Sequence, residues 1–239
     1  GHSMKRLMPI FIVILLSGCG ILTAYAPNML SMIVVAVMGV VVLLGIIYGL
    51  IPVLTFTQGL LTGQKSIQRA SEAEEKSVWI TALQMDRFFR QKKMDQLFRE
   101  YRDKVKQQRQ NGQIVSDLED ILNEDVLALY SWQGVVAQIP GTLTGLGILG
   151  TFIGLLRGLR NINFVTVEAA LSSVQSILTG IDTAFYTSIA GVILSILFNI
   201  SNNILRNTMD REMGIFLEVF HRVVLPTTQE QERYRSRRE

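Results

Sequence analysis

The stretch of sequence that decides the fold is AALSSVQSILTGIDTAFYTSIAGVILSILFNISNNIL, at residues 169–205. Asp182 is the only charged side chain in it. An ionised carboxylate at the centre of a bilayer helix costs about 2.5–3.5 kcal/mol on insertion scales, so such a residue normally faces a bundle interior or a water-filled cavity. The stretch therefore predicts a membrane helix that helps to move ions or responds to them.

Two further windows carry no Asp, Glu, Lys or Arg, at residues 7–64 and 126–156. A helix needs about 20 apolar residues to cross the hydrocarbon layer of a bilayer. The first window is long enough for two crossings, split at Ala26-Pro27-Asn28, and the second window for one. Together with residues 169–205, the windows predict an all-α integral membrane protein with four transmembrane helices.

The charge pattern divides the chain and orients it. Residues 4–63 are predicted to form transmembrane helices one and two, 64–127 a helical cytoplasmic insertion, 128–206 helices three and four, and 207–239 a cytoplasmic helix and tail. Basic residues concentrate before helix one, in the insertion and after helix four, which places both termini in the cytoplasm of a bacterial inner membrane. Residues 1–3, Gly1-His2-Ser3, look like a vector scar and carry no argument.

The composition argues against several function classes. The chain has one cysteine and two histidines. One cysteine cannot form an internal disulfide, and so few histidines and cysteines argue against a zinc-type metal site or a Ser-His-Asp triad. We therefore expect no enzyme, no metal and no cofactor. The net charge of +3 gives no sign of a nucleic-acid partner; membrane lipid is the expected surrounding.

The lone cysteine has a second interpretation. Leu16-Ser17-Gly18-Cys19 resembles a lipoprotein signal whose cysteine would be acylated. The apolar run continues past Cys19, which favours an ordinary transmembrane helix. The predicted topology downstream is the same in both cases.

Helices three and four each carry a stripe of small residues. Gly150, Gly154 and Gly158 recur every fourth residue, a spacing that lets two helix backbones approach closely in lipid. Helix four carries small and hydroxyl residues at Gly180, Thr183, Ala184, Thr187, Ser188, Gly191 and Ser195, and Asp182 stands one turn before Tyr186, within reach of a hydrogen bond. Two such faces predict a polar crevice that lacks an ionisable group, which a helix from a partner would supply.

These residues resemble a known family. The pattern Pro…Gly-Leu-x-x-x-Gly-Thr-x-x-Gly of the MotA/TolQ/ExbB proton channels matches at Pro140, Gly145, Leu146, Gly150, Thr151 and Gly154, and its second pattern matches at Gly180, Ile181, Ala184, Ser188 and Gly191. Within that family, GLGILGTFIGL at residues 145–155 and TAFYTS at residues 183–188 look most like Zorya-type anti-phage A subunits.

The resemblance implies a homopentamer around two copies of a B-type partner. That partner would have a single transmembrane helix bearing an aspartate and a periplasmic domain. Ion flow, of H⁺ or Na⁺, past the aspartate would turn the pentamer about the dimer, so the resemblance implies an ion-channel stator subunit of a five-to-two rotary motor.

The resemblance also implies roles for single residues. The family's pore threonines map to Thr151 and Ser188, with Thr187 as the neighbouring candidate, and Thr183 stands where TolQ and ExbB proteins carry a glutamate. Asp182 would tune hydration of the ion path. Pro140, Gly150, Gly154 and Gly191 are expected to act in helix bending and packing.

The insertion carries one clear amphipathic pattern. Met94, Leu97, Phe98, Tyr101 and Val105 follow the spacing of one helix face. Asn111-Gly112 is expected to end this helix, and a second helix, capped near Ser116-Asp117, is expected to run on towards the third crossing. The charged residues around the helix start are a candidate torque surface, or simply a solvated helix surface: Arg87, Arg90, Lys92, Lys93 and Asp95.

Two other function classes remain open from the sequence. A self-contained secondary transporter would hold its substrate site within one chain and conduct without a partner. A non-conducting membrane scaffold would keep its function when Thr151 and Ser188 are replaced by valine.

Overall fold

The structure, a computed structural model, describes residues 2–73 and 77–238. Gly1 of the predicted scar, Glu74 to Lys76 of the predicted insertion and Glu239 of the predicted tail lie outside the described residues. Every regular element in the described ranges is helical, as the sequence predicts.

Ten α-helices follow one another along the described chain: α1 (His2–Ala24), α2 (Met29–Gly45), α3 (Ile51–Glu72), α4 (Val78–Leu83), α5 (Lys92–Gln110), α6 (Glu124–Tyr130), α7 (Gln133–Val136), α8 (Ile139–Leu159), α9 (Val167–Val219) and α10 (Thr228–Ser236). Two π-helical turns, Ile46–Leu50 and Phe220–Val224, join α2 to α3 and follow α9. A 3₁₀ turn covers Leu118–Asp120.

Four helical stretches in the described chain are long and apolar enough to cross a membrane: Arg6–Ala24, Met29–Glu72, Gln133–Leu159 and Val167–Ser236. Each contains one of the four predicted crossings. The turn between the first two is fixed by Asn28, whose side chain accepts a hydrogen bond from the Ser31 N–H at 2.9 Å and so caps α2.

The chain divides into two compact units. The first unit contains residues 1–51 and 132–204, and the second contains residues 52–131 and 205–239. The first unit holds α1, α2, α7, α8 and the first part of α9. The second unit combines most of the predicted insertion with the predicted cytoplasmic helix and tail.

Glycines in α2 and its π-helical turn set the packing of the first unit. A Cβ added at Gly45 would lie 2.5 Å from the Ile139 side chain and 2.7 Å from that of Phe198. At Gly49 it would lie 2.7 Å from Val136. Larger residues at these two positions would therefore force neighbouring helices apart.

The second unit is built around aromatic rings. Phe88 stacks on Phe98 with ring centroids 4.5 Å apart, and Phe89 meets Phe216 edge-on at 5.2 Å. Tyr101 donates a hydrogen bond to the Ser116 carbonyl at 2.7 Å, and burial raises the pKa of its phenol. The amphipathic helix predicted from the insertion is confirmed as α5, whose apolar face is buried in this cluster.

Two expectations for local structure are wrong. The helix expected to start near Ser116-Asp117 does not form there, because the chain makes only the 3₁₀ turn at Leu118–Asp120 before Asn123 caps the short α6. Nor does it run on to the third crossing, since Trp132 takes a left-handed backbone with φ 53° and ends the run. The predicted tail contains α10, which a capping box between Thr227 and Glu230 starts.

Candidate functional site

Helices α8 and α9 run antiparallel and touch backbone to backbone. A Cβ added at Gly180 would lie 2.5 Å from the Gly154 carbonyl oxygen, and one at Gly191 would lie 2.7 Å from the Leu143 carbonyl oxygen. No side chain fits between the helices at these points. The packing role predicted for Gly154 and Gly191 therefore has a direct geometric basis in close backbone approach.

Pro140 stands in the first turn of α8, where its missing N–H leaves no helical hydrogen bond unmade. Its carbonyl oxygen accepts a hydrogen bond from the Ser195 hydroxyl of α9 at 2.9 Å. The proline therefore marks a polar link between the two helices at the start of α8.

Two hydroxyl side chains meet halfway along this helix pair. Thr151 Oγ1 of α8 lies 2.5 Å from Ser188 Oγ of α9, in a half-buried position. The Thr151 oxygen also lies 3.0 Å from the Gly147 carbonyl oxygen and 3.1 Å from that of Ala184. The structure thus brings together the two residues that the family resemblance singles out.

Thr187 occupies a different place from its neighbour Ser188. It is fully buried, and its hydroxyl donates to the Thr183 carbonyl at 2.9 Å. A Cβ added at Gly150 would lie 2.5 Å from the Thr187 hydroxyl oxygen, so the glycine is what makes room for the threonine. Thr187 is enclosed between α8 and α9, whereas the side chains of Thr151 and Ser188 are only half-buried.

Thr183 lies one turn from Thr187 and links α9 to the turn between the first two helices. Its hydroxyl accepts a hydrogen bond from Asn28 Nδ2 at 2.5 Å and donates to the Thr179 carbonyl at 3.0 Å. The sequence singles out Thr183 but not Asn28; the position of Asn28 directly after Pro27, at a helix start, is the signal for its capping role.

Asp182 is exposed on α9. The hydrogen bond considered between Asp182 and Tyr186 is replaced by another one, because the Tyr186 hydroxyl donates to the Leu22 carbonyl of α1. Sequence spacing does not reveal this bond, because it joins residues far apart in the chain.

A polar cleft of about 500 Å³ opens at the Asn28 end of the first unit. Its lining includes Asn28, Arg157, Gln175, Thr179 and Thr183. Arg157 is exposed there, at the end of α8, where a long basic side chain reaches from an apolar surface into water.

Only some residues of the candidate torque surface are exposed to solvent. Arg87, Arg90 and Lys92 are exposed, and Lys93 Nζ lies 4.1 Å from the centre of the Tyr130 ring. Asp95 is buried, and its carboxylate accepts the Phe89 N–H at 2.8 Å. The expectation that Asp95 belongs to an exposed charged face is wrong, because this carboxylate holds the chain before α5 in place.

In the described ranges, no three His, Cys, Asp or Glu side chains lie close enough together to hold a metal ion. Cys19 is half-buried within α1.

Comparison with known proteins identifies relatives. The family model of the anti-phage protein ZorA of the Zorya type I system, called ZorA-like, matches residues 15–208. Over 60 residues the chain is 47% identical to the Zorya protein ZorA of Escherichia coli (Crooks strain), which is 25% of this chain and 10% of that protein. Over 60 residues it is 43% identical to the Zorya protein ZorA of Escherichia coli O139:H28, which is 25% of this chain and 8% of that protein. The chain thus aligns with a tenth or less of the length of these curated relatives.

Proposed function

The chain belongs to the ZorA-like family of Zorya type I anti-phage proteins, and from this membership we propose that it is the ion-conducting, stator-like membrane subunit of a Zorya complex. Five copies would surround two copies of a single-span partner that carries an intramembrane aspartate and a periplasmic domain. The complex would convert ion-motive force into torque during defence against phage.

The observation that carries this proposal is the contact between Thr151 and Ser188. Both hydroxyls lie 2.5 Å apart, midway along two apolar helices, among the backbone carbonyls of Gly147 and Ala184. Such a group of oxygens offers hydrogen-bond acceptors and donors to water or to a dehydrating ion. It holds no charge of its own, so the carboxylate that binds the ion would come from the partner helix.

Exposed polar side chains support assembly. Asp182, Asn199 and Asn203 are exposed on α9 in the single protomer, although they lie within a candidate membrane span. A carboxylate facing lipid costs about 2.5–3.5 kcal/mol on insertion scales. Neighbouring copies or a water-filled centre would remove that cost, and Asp182 would then hydrate the path of the ion.

The proposed orientation places both termini and the second unit in the cytoplasm of a bacterial inner membrane. Basic residues dominate the segments that this orientation leaves inside. One elementary charge that crosses 100 mV releases about 2.3 kcal/mol, which is the energy available to the motor per ion. Arg87, Arg90 and Lys92, exposed near the start of α5, would contact the component that receives the torque.

The test removes one hydroxyl at a time with the smallest available change in side-chain size. Thr151→Val and Ser188→Ala, each made in the complex with its single-span partner, should lower ion flux into liposomes about tenfold, which corresponds to losing about 1.4 kcal/mol of stabilisation. Phage protection in cells should fall with flux. Thr151→Ser keeps the hydroxyl, and Thr144→Val removes an exposed hydroxyl that bonds only to the Pro140 carbonyl in the described chain, so both controls should retain flux and protection.

Each alternative function predicts a different result. Ion flux from liposomes that contain this chain alone would identify a self-contained transporter. Full phage protection by the Thr151→Val, Ser188→Ala double variant would identify a non-conducting scaffold. Flux measured separately with H⁺ and with Na⁺ gradients decides which ion is carried.

A further inference from the structure

Two buried amide side chains lie at the end of the first unit opposite to Asn28. Gln133 is 3% exposed and Asn202 is 5% exposed. Neither end of the Gln133 amide has a hydrogen-bond partner among the described residues, and the same holds for Asn202 Oδ1. Buried polar atoms are nearly always hydrogen-bonded to protein or to ordered water, so three unpaired atoms in one region call for a physical cause.

Gln133 begins the short α7, directly before α8, and Asn202 lies on α9. Ser195 bonds to the Pro140 carbonyl, and two turns earlier along α9 Ser188 meets Thr151. Gln133 stands seven residues before Pro140, across the break between α7 and α8, and Asn202 stands seven residues after Ser195 on α9. Along both chain segments, the two amides therefore lie on the far side of the contact between Pro140 and Ser195 from the hydroxyl pair.

The backbone around these amides is irregular. Trp132, directly before Gln133, has a left-handed backbone with φ 53°, which is a strained conformation for a bulky aromatic residue. On α2, the turn at Ile46–Leu50 is π-helical, and Val136 packs against its Gly49. Strained residues and π-helical turns are frequent at functional sites.

We propose that Gln133 and Asn202 form a water-binding site at this end of the first unit. If the chain conducts ions as proposed above, this site is where the ion regains water after it leaves Thr151 and Ser188. The amides offer both donors and acceptors, so they orient water without binding the ion through a fixed charge. A buried water makes two to four hydrogen bonds, which matches the unpaired amide atoms.

The water site is tested first without reference to conduction. In full-length protein assembled in its native membrane, Cys19→Ala removes the native thiol and Asn202→Cys places a new one at the site. A thiol reacts with a small charged methanethiosulfonate as thiolate, which needs water around it, so Asn202→Cys should react at least about tenfold faster than Leu194→Cys. Leu194 is a matched control because it is fully buried on the same helix and its side chain lies against Gly18 of α1.

Equal and slow reaction at both positions would overturn the water site. Gln133→Cys gives a second, independent measurement if Asn202→Cys fails to assemble, and it should also react faster than Leu194→Cys.

Conduction through the site is tested separately. Gln133→Leu combined with Asn202→Leu should lower ion flux about tenfold while the thermal midpoint stays equal or rises, because two apolar side chains need no buried hydrogen-bond partner. Flux equal to that of the parent complex would show that the amides take no part in conduction and only hold structural water. A parent complex that does not conduct would refute the proposed function, and the thiol reactivities would still decide whether water occupies the site.

Discussion

The Asp95 side chain is buried and stabilises the local structure before α5 through a hydrogen bond. Its carboxylate accepts the Phe89 N–H at 2.8 Å. Burial raises the pKa of Asp95, although the Phe89 N–H and the Arg99 charge act in the opposite direction. A raised pKa means that the fold favours the protonated acid, so this stabilisation is fully present below the ordinary pKa and is lost as the pH rises through the folded pKa.

We predict that Asp95→Asn is tolerated and Asp95→Leu is not. Asparagine keeps an oxygen for the Phe89 N–H and removes the buried charge, whereas leucine leaves a buried donor unpaired at a cost of about 1–3 kcal/mol. Thermal unfolding of the purified protein in detergent measures the difference. The advantage of Asp95→Asn over the parent should shrink as the pH is lowered; equal losses for both variants would refute the role of the hydrogen bond.

At the scale of the helix, the contact between α8 and α9 depends on glycines that meet backbone. We predict that Gly180→Ala destabilises the protein by about 1–3 kcal/mol, as overpacking does, because the added carbon would lie 2.5 Å from the Gly154 carbonyl oxygen. Gly145→Ala is the matched control in α8, since its added carbon meets nothing within 4 Å, and it should be neutral or slightly stabilising. Thermal unfolding in detergent and phage protection in cells are the measurements. A Gly180→Ala protein with unchanged stability and protection would show that α8 and α9 can separate without a cost in free energy.

The aromatic cluster stabilises the second unit through α5. We predict that Phe98→Ala costs about 3–5 kcal/mol, the usual loss for a buried phenylalanine, because Phe98 stacks on Phe88 and meets Phe89 edge-on. Arg99→Ala, one residue along and exposed, should cost far less. In a Trp132→Phe background, fluorescence of the buried Trp79 reports the denaturant unfolding of this unit. Matching midpoints for Phe98→Ala and Arg99→Ala would contradict the prediction.

For the whole molecule, the exposed Asp182 argues for assembly. The chain has a mass of 26.8 kDa, and we predict that native mass measurement of the complex in mild detergent gives five copies with two copies of the single-span partner. A shared surface or a water-filled centre would then shield a carboxylate that lipid disfavours. A stable monomer that binds no partner would contradict both the assembly and the proposed motor.

Much of the fold follows from sequence because long apolar runs have few alternatives. A run of about 20 such residues forms a helix wherever the backbone must satisfy its own hydrogen bonds, and the glycine spacing of α8 and α9 indicates which faces meet. The positions where the helices are interrupted could not be predicted in this way. The left-handed Trp132 and the π-helical turn at Ile46–Leu50 depend on packing between distant segments, which local propensity does not encode.

The candidate site, too, could be predicted from the sequence only in part. The family resemblance singles out Thr151 and Ser188 from the sequence, and the structure brings their hydroxyls together. The burial of Thr187 under Gly150, the Tyr186 bond to Leu22 and the interior position of Asp95 depend on which side of a helix its neighbours cover, and a charged or hydroxyl residue type does not reveal that.

The glycine contacts between α8 and α9 have one more consequence. Because carbonyl oxygens and α-carbons touch directly, the two helices have no flexible side chains at those points that would let one slide or roll against the other. We therefore expect the two helices to move as a pair, with the contact between Thr151 and Ser188 preserved. If the chain works as the proposed stator, relative movement would therefore take place at the surfaces where this helix pair meets another chain.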